Sequence, residues 1–252
     1  MSSRLFYDFY DIFFQDKNYS AEVDIILSLG KKFGPGFPGH ILEIGCGTGN
    51  HTVELARKAV DVLAIDIDPS MTALAKNKIK QKKLKNVIVL EKKVEQLDLK
   101  KFDLAVAMFN VVTYIQHTNE LLSFMKGVSS RLEPGGVFIF DSWNGVAAMK
   151  DPPKKKQIHM KRKGELIELE IIPRTSFINK KTKLSYNIKV TKGKLIKEDK
   201  FIISQKLWTP LQIGRSLKQA GLELLWSSPL LRPEQKATEK DWKIMFVAKK
   251  LF

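Results

Sequence analysis

Hydrophobic and polar positions divide the chain into a long stretch of strand–helix alternation, a stretch of strict two-residue alternation, and a short return to the first pattern. Phe6, Phe9, Tyr10 and Phe13, then Val23, Ile26 and Leu27, recur at helical spacing and predict two short helices over residues 4–32. Gly34-Pro35-Gly36-Phe37-Pro38-Gly39 breaks the second of them. Four apolar runs follow, each read as a buried strand: 41–44, 60–66, 86–90 and 102–109. Between them lie helical patterns over 50–59 and from Pro69, where Asp68 suits the N-cap and Met71, Leu74, Ala75 and Ile79 form the stripe. Asn119 is read as the cap of a helix to Arg131, Glu133-Pro134-Gly135-Gly136 as a turn, and Val137 to Trp143 as a fifth strand. Apolar and polar residues then alternate: Leu169 and Ile171 with Glu168 and Glu170, then Leu184, Tyr186, Ile188 and Val190. Residues 146–206 are therefore expected to be an inserted small antiparallel sheet. A helix from Thr209-Pro210 to Ala220 and two strands, 222–227 and 242–249, close the chain. The fold class is α/β, an open, mostly parallel sheet with helices on both faces.

One stretch concentrates the chemistry. Ile41-Leu42-Glu43-Ile44-Gly45-Cys46-Gly47-Thr48-Gly49-Asn50-His51 runs from strand through a glycine-dense turn into a helix. Such a turn sets free backbone N–H groups against a bound ligand, and alternate glycines allow close approach. The dinucleotide fingerprint places glycines at the first, third and sixth positions. Counted from Gly45, the sixth is Asn50 and Gly49 is the fifth, which weakens an NAD reading. Asp66 lies 21 residues beyond Gly45, at the end of the second strand, where a carboxylate can accept a pair of ribose hydroxyls.

Glu43-x-Gly45-x-Gly47-x-Gly49 resembles motif I of the class I S-adenosylmethionine-dependent methyltransferases. The resemblance implies a Rossmann-like sheet whose last strand inserts antiparallel, and S-adenosylmethionine as cofactor with S-adenosylhomocysteine as product. It further implies that the turn (Gly45, Cys46, Gly47, Gly49, Asn50) packs on the methionine part and ribose while Glu43 orders the turn and the ligand's amino group. Asp66 then holds the ribose, and Ile67 covers the adenine, with Met71 beside it. Tyr10-Asp11…Lys17-x-Tyr19 resembles the pattern that precedes motif I in small-molecule members, whose first helices, here residues 1–33, fold over the cofactor as a lid. Tyr10 and Tyr19 are the residues expected at the methionine carboxylate or the methyl site. After the third strand the family carries an aspartate facing the adenine amino group. Here Lys93 stands in that place with Val94 next, so adenine recognition is expected from the Val94 backbone. After the fourth strand, Phe109 and Asn110 are expected against the cofactor, with Tyr114 and His117 lining an acceptor pocket. His117 is a general base in that reading and a helix cap or surface residue in the plainer one. Asn110-Val111-Val112-Thr113 lacks the Asn/Asp-Pro-Pro-aromatic signature of adenine-N6 methyltransferases.

Composition refines this. With 252 residues and 44% hydrophobic content the chain can bury a large core as a single domain, 1–252. No run is apolar enough for a membrane span, so a cytoplasmic protein with no membrane partner is expected. The single cysteine, Cys46, excludes an internal disulfide and a cysteine cluster, and no metal is expected. Of the net charge of +16, residues 150–206 carry +11. Such an excess attracts polyanions or is simply a lysine-rich solvated surface.

The insertion after Phe140-Asp141-Ser142-Trp143-Asn144 resembles that of the amino-sugar and amino-acid N-methyltransferases, where an extra sheet closes the acceptor pocket. The expected acceptor is a small amine, and the expected protein a monomer or homodimer. Two other readings stay open: methylation of RNA or protein gripped by the basic insertion, and a non-catalytic cofactor-binding scaffold.

Overall fold

The computed structural model describes residues 4–98 and 100–251; residues 1–3 of the expected lid lie outside the described residues. In chain order the helices are α1 (Arg4–Phe13), α2 (Tyr19–Phe33), α3 (Asn50–Ala56), α4 (Pro69–Gln81), α5 (Thr118–Arg131), α6 (Gly145–Lys150) and α7 (Pro210–Gln219). The strands are β1 (His40–Ile44), β2 (Asp61–Asp66), β3 (Val87–Glu91), β4 (Phe102–Ala107), β5 (Leu132–Trp143), β6 (Lys156–Arg162), β7 (Glu165–Ser176), β8 (Lys181–Lys192), β9 (Leu195–Lys206), β10 (Leu222–Pro229) and β11 (Lys243–Lys250).

Seven strands form one sheet in the order β10-β11-β5-β4-β1-β2-β3. From β5 to β3 the pairs are parallel, and β11 enters antiparallel between β5 and β10. The strand order reverses at β1, which pairs with both β2 and β4. Ligands of open α/β sheets sit at such a switch point, beyond the carboxyl ends of the strands. Both faces of the sheet are apolar because neighbouring residues of one strand point to opposite sides: Ile41 and Leu42 are both fully buried, in two different clusters. Phe138, Phe140 and Phe246 stack at 4.5 and 5.1 Å across β5 and β11, filling one face.

The second sheet is antiparallel, β6-β7-β8-β9. Its alternation puts Ile167, Leu169, Leu184, Tyr186, Ile188, Val190 and Phe201 on one face, where they pack with Phe6 and Phe13 of α1 and with Met71 of α4. Burial of each such side chain is worth about 1.5–3 kcal/mol, so this contact helps fix where α1 lies.

The structure corrects four details of the sequence reading. The inserted sheet begins at Lys156 rather than 146, because Asn144 Oδ1 accepts from Val146 N (3.0 Å) and starts α6, a helix too short to show a period. Strand β5 extends back to Leu132, yet residues 133–136 bulge out between the pairs Leu132–Phe102 and Val137–Leu104, so the Pro-Gly-Gly turn is there in substance. Helix α5 starts at Thr118 with His117 as the N-cap residue, two residues before Asn119. Strand β4 ends at Ala107, and Phe109 and Asn110 belong to the turn beyond it. Among the described residues no helix is long and apolar enough to cross a membrane.

Candidate active site

The glycine turn, the end of β2 and the turn after β4 meet at the switch point. Gly45 (φ +71°) is forced: a Cβ there would lie 2.5 Å from Val111 Cγ2. Gly47 (φ +55°) is open, with only the Tyr10 hydroxyl at 4.0 Å from a built Cβ, leaving room above the backbone for a ligand. Gly45 N and Cys46 N both donate to Ile65 O (2.7 and 3.0 Å), which ties the turn to β2. Asp66 then accepts from Gly47 N at 2.8 Å and from Asp68 N at 2.9 Å, one to each oxygen. Each oxygen keeps a lone pair for a ligand hydroxyl. Burial raises the Asp66 carboxyl, and these backbone donors oppose the rise.

Glu43, at 3% exposure, is pushed up to about 8 by burial, and Asp66 adds to the push. The approach of the Thr52 hydroxyl eases this, although Glu43 Oε2 closes no hydrogen bond. Burial, then Glu43 and Asp66, also push the Cys46 thiol up, so it stays protonated and is no nucleophile.

Beyond β4, Phe109 (φ +71°) and Asn110 (φ +64°) are consecutive left-handed residues. Each costs about 1–2 kcal/mol, and strain of this kind concentrates at functional sites. It is held by Asn110 N donating to Asp141 Oδ1 (2.8 Å) and Thr113 Oγ1 donating to Asn110 O (2.6 Å). Asn110 Oδ1 is buried without a partner, an acceptor waiting for a donor.

Helix α1 lies between the glycine turn and the second sheet and is stapled at both sides. Tyr7 OH donates to Asp68 Oδ2 at 2.6 Å. Asp11 accepts from Thr48 Oγ1 (2.6 Å) and Asn50 Nδ2 (3.0 Å) and pairs with Lys78 (2.7 Å). Against its partial burial, these bonds hold the Asp11 carboxyl below its ordinary value. Tyr10 faces the glycine turn across a cleft, its hydroxyl 4.0 Å from a Cβ built on Gly47; burial pushes that hydroxyl well up, with Tyr114, Tyr19, Tyr186 and Asp66 contributing. Tyr114 stands at its mouth, 52% exposed; burial about the hydroxyl, then Asp66, push it up to about 12. Its turn is tied to β9 by the Thr113–Gln205 hydrogen bond and by Gln116 Nε2 donating to Ser204 O (3.1 Å).

Other residues singled out in the sequence lie at different depths. Ile67 is 67% exposed beside Asp66, and Met71 is buried in α4, packed with α1 and the second sheet. Lys93 is exposed, its N–H donating to Gln96 Oε1 (3.0 Å), while the Val94 side chain is 1% exposed. His117 is exposed at the start of α5, where its N–H donates to Glu120 Oε2 (3.2 Å). The cap reading describes that position.

Sequence reasoning missed a buried charged group beside this cleft. Glu22 accepts from Lys17 Nζ through one oxygen and pairs with His51 Nε2 through the other at 2.7 Å. Both oxygens are thus used, and the Glu22 carboxyl, despite burial, is held below its ordinary value by His51 and Lys17. The Lys17 ammonium lies 5.0 Å from the Phe109 ring centre and 5.4 Å from that of Tyr19. Glu22, Ile26 and Leu29 at i, i+4, i+7 put an acid on the apolar stripe of α2, which is a readable signal.

Residues 41–136 match the family described as Methyltransferase domain. Among curated proteins, the chain is 29% identical over 139 residues, 54% of its length and 56% of the relative's, to dTDP-3-amino-3,4,6-trideoxy-alpha-D-glucopyranose N,N-dimethyltransferase of Streptomyces venezuelae. It is 36% identical over 74 residues, 29% of the chain and 33% of the relative, to magnesium-protoporphyrin O-methyltransferase of Rhodobacter capsulatus. The chain thus spans about half or less of the length of these curated relatives. Among solved structures, Streptomyces venezuelae DesVI superposes with a TM-score of 0.80 at 20% identity, over 96% of both chains. S-adenosylmethionine-bound CalS10, an amino pentose methyltransferase from Micromonospora echinaspora, gives 0.76 at 19% identity, over 99% of this chain and 98% of that one. The fold is that of the Rossmann-like S-adenosylmethionine-dependent methyltransferases.

Proposed function

Taking residues 41–136 as a methyltransferase domain, we propose that the chain transfers a methyl group from S-adenosylmethionine to the amine of a small-molecule acceptor. The observation that carries this is the cradle at the switch point. Gly47 leaves space over the turn, Asp66 has a free lone pair on each oxygen, and Asn110 Oδ1 and Glu43 Oε2 are buried acceptors without donors. These residues fit a ligand with ribose hydroxyls and an ammonium group.

When bound, S-adenosylmethionine supplies a methyl carbon already activated by its sulfonium. The chain's own work is then to bind, orient and exclude water. Asp66 receives the ribose hydroxyls, Ile67 and Met71 flank the base, and the Val94 backbone N–H reads its edge, since Lys93 offers no acceptor. Gly45, Cys46, Gly47, Gly49 and Asn50 form the floor, and Phe109 and Asn110 the wall. Tyr10 and Tyr19 face the methionine end or the methyl site. Helix α1 is the lid, closed here by the Tyr7–Asp68 and Asp11–Lys78 staples. Tyr114, with the second sheet behind it, bounds the acceptor space. An amine attacks through its own lone pair, so no strong base is required and His117 need not serve as one.

The relatives support an amino sugar or similar amine as acceptor. DesVI and CalS10 share the whole fold, including the extra sheet's share of the chain, and the latter is named for an amino pentose. The test is methyl transfer to a panel of amino sugars and amino acids, read by mass spectrometry, with RNA as the competing acceptor across a salt series. Transfer to an amine, insensitive to salt, supports the reading. Transfer to RNA alone, falling steeply with salt, replaces it with the polyanion reading.

A further inference from the structure

We propose that Lys17 recognises the carboxylate of the bound ligand's amino-acid end, and that Glu22 and His51 are positioning residues that aim its ammonium; this rests on the S-adenosylmethionine reading above. Lys17 sits in the short link between α1 and α2, where a lysine side chain ordinarily reaches into water. Here the side chain is only 16% exposed, and Glu22 and His51 beneath it are 3% and 8% exposed. Among the described residues, Glu22 is its one hydrogen-bond and ion-pair partner, which leaves two N–H donors of the ammonium unused. The rings of Phe109 and Tyr19 bracket the charge at 5.0 and 5.4 Å. Phe109 is one of the two strained residues after β4, so the ammonium stands at the cleft wall rather than within the core.

A role in stability explains the arrangement poorly, because buried ion pairs rarely outperform apolar side chains of similar volume. A role in recognition explains it better, because neighbouring groups are also short of partners. The Tyr19 ring lies 4.8 Å from that of His51, and its hydroxyl is buried and closes no hydrogen bond, with the Asn50 side chain approaching it. Glu43 Oε2 and Asn110 Oδ1 are buried acceptors in the same state. Donors short of an acceptor (Lys17, Tyr19) and acceptors short of a donor (Glu43, Asn110) together describe the complement of a zwitterion. A methionine-type amino-acid group has that pair of charges, and plain adenosine has neither. Glu22 can hold the ammonium in place only because its second oxygen is fixed by His51, which follows the glycine turn directly and so is set by the same backbone as the ligand floor.

The test compares two probes by calorimetry: S-adenosylhomocysteine, which carries the amino-acid end, and 5′-methylthioadenosine, which lacks it. The full chain is used as wild type and as Lys17→Met, Lys17→Arg and Glu22→Gln, each checked for folding by thermal unfolding. A lost charge-assisted hydrogen bond predicts about 10- to 100-fold weaker S-adenosylhomocysteine binding for Lys17→Met, with methylthioadenosine changed by less than about twofold. Lys17→Arg recovers part of the loss, and Glu22→Gln shows a smaller loss with the same selectivity. Equal weakening of both probes, or unchanged S-adenosylhomocysteine binding in Lys17→Met, overturns the assignment while the cofactor reading stands. If the wild type binds neither probe, the cofactor reading falls and this assignment with it.

Discussion

Replacing Glu43 by glutamine removes a carboxyl that is fully enclosed at the end of β1 and whose second oxygen has no partner. Burial moves that carboxyl from its ordinary 4.5 to about 8. Below the ordinary value both the folded and the unfolded chain hold the proton, and the group adds no pH dependence. Between 4.5 and about 8 the unfolded chain releases it while the folded chain keeps it, so wild-type stability falls as pH rises through this window. Above it both states are ionised and the cost is complete, about 5 kcal/mol at about 1.4 kcal/mol per pH unit. Glutamine does not titrate. The stability of Glu43→Gln relative to wild type should therefore climb by about 4 kcal/mol between about pH 5 and about pH 8.5, read from urea unfolding curves at each pH. A difference between the two proteins that stays constant across that range refutes the claim that the site confines an unpaired carboxyl. The same variant should bind S-adenosylhomocysteine more weakly, because the amide has no proton to release and so cannot take on the charge that an arriving ammonium would draw from the carboxyl.

Three further outcomes follow from the geometry. Asp66→Ala removes both ribose acceptors and should weaken S-adenosylhomocysteine by about 100-fold or more, two hydrogen bonds to a charged group, while the chain still unfolds cooperatively; unchanged affinity in calorimetry removes Asp66 from the site. Gly45→Ala drives a methyl into Val111 at 2.5 Å in a left-handed backbone position, and thermal unfolding should show a loss of about 2–4 kcal/mol. Lys154, Lys155 and Lys156 changed together to glutamine should leave turnover on an amine within about twofold, since these lysines are exposed and the pairs of Lys154 with Asp151 and of Lys155 with Glu170 are surface contacts worth little; a large loss restores the nucleic-acid reading.

Parallel strands proved legible because burial on both faces demands continuous apolar runs, as in Ile41-Leu42 and Leu104-Ala105-Val106, and few other structures need them. The second sheet was legible for the opposite reason: one solvated face imposes the alternation of Leu184, Tyr186, Ile188 and Val190 with polar neighbours. What stayed hidden was either too short to show a period or depended on contacts between distant positions. Helix α6 has too few residues to show a period, and its start is fixed by one Asn144 hydrogen bond. The left-handed turn at Phe109–Asn110 has no glycine to announce it, and it exists because Asp141, far along the chain, holds the Asn110 N–H. Lys17, Glu22 and His51 are common residue types on three separate segments. Only the fold makes them one group. The hint was Glu22 on an otherwise apolar helix stripe.

Binding of the cofactor is the claim on which the rest stands, and calorimetric titration of the purified chain with S-adenosylmethionine, S-adenosylhomocysteine and NAD tests it most directly. Saturable one-to-one binding of both sulfur ligands with none of NAD is the predicted result. Binding of NAD, or of neither sulfur ligand, contradicts the account.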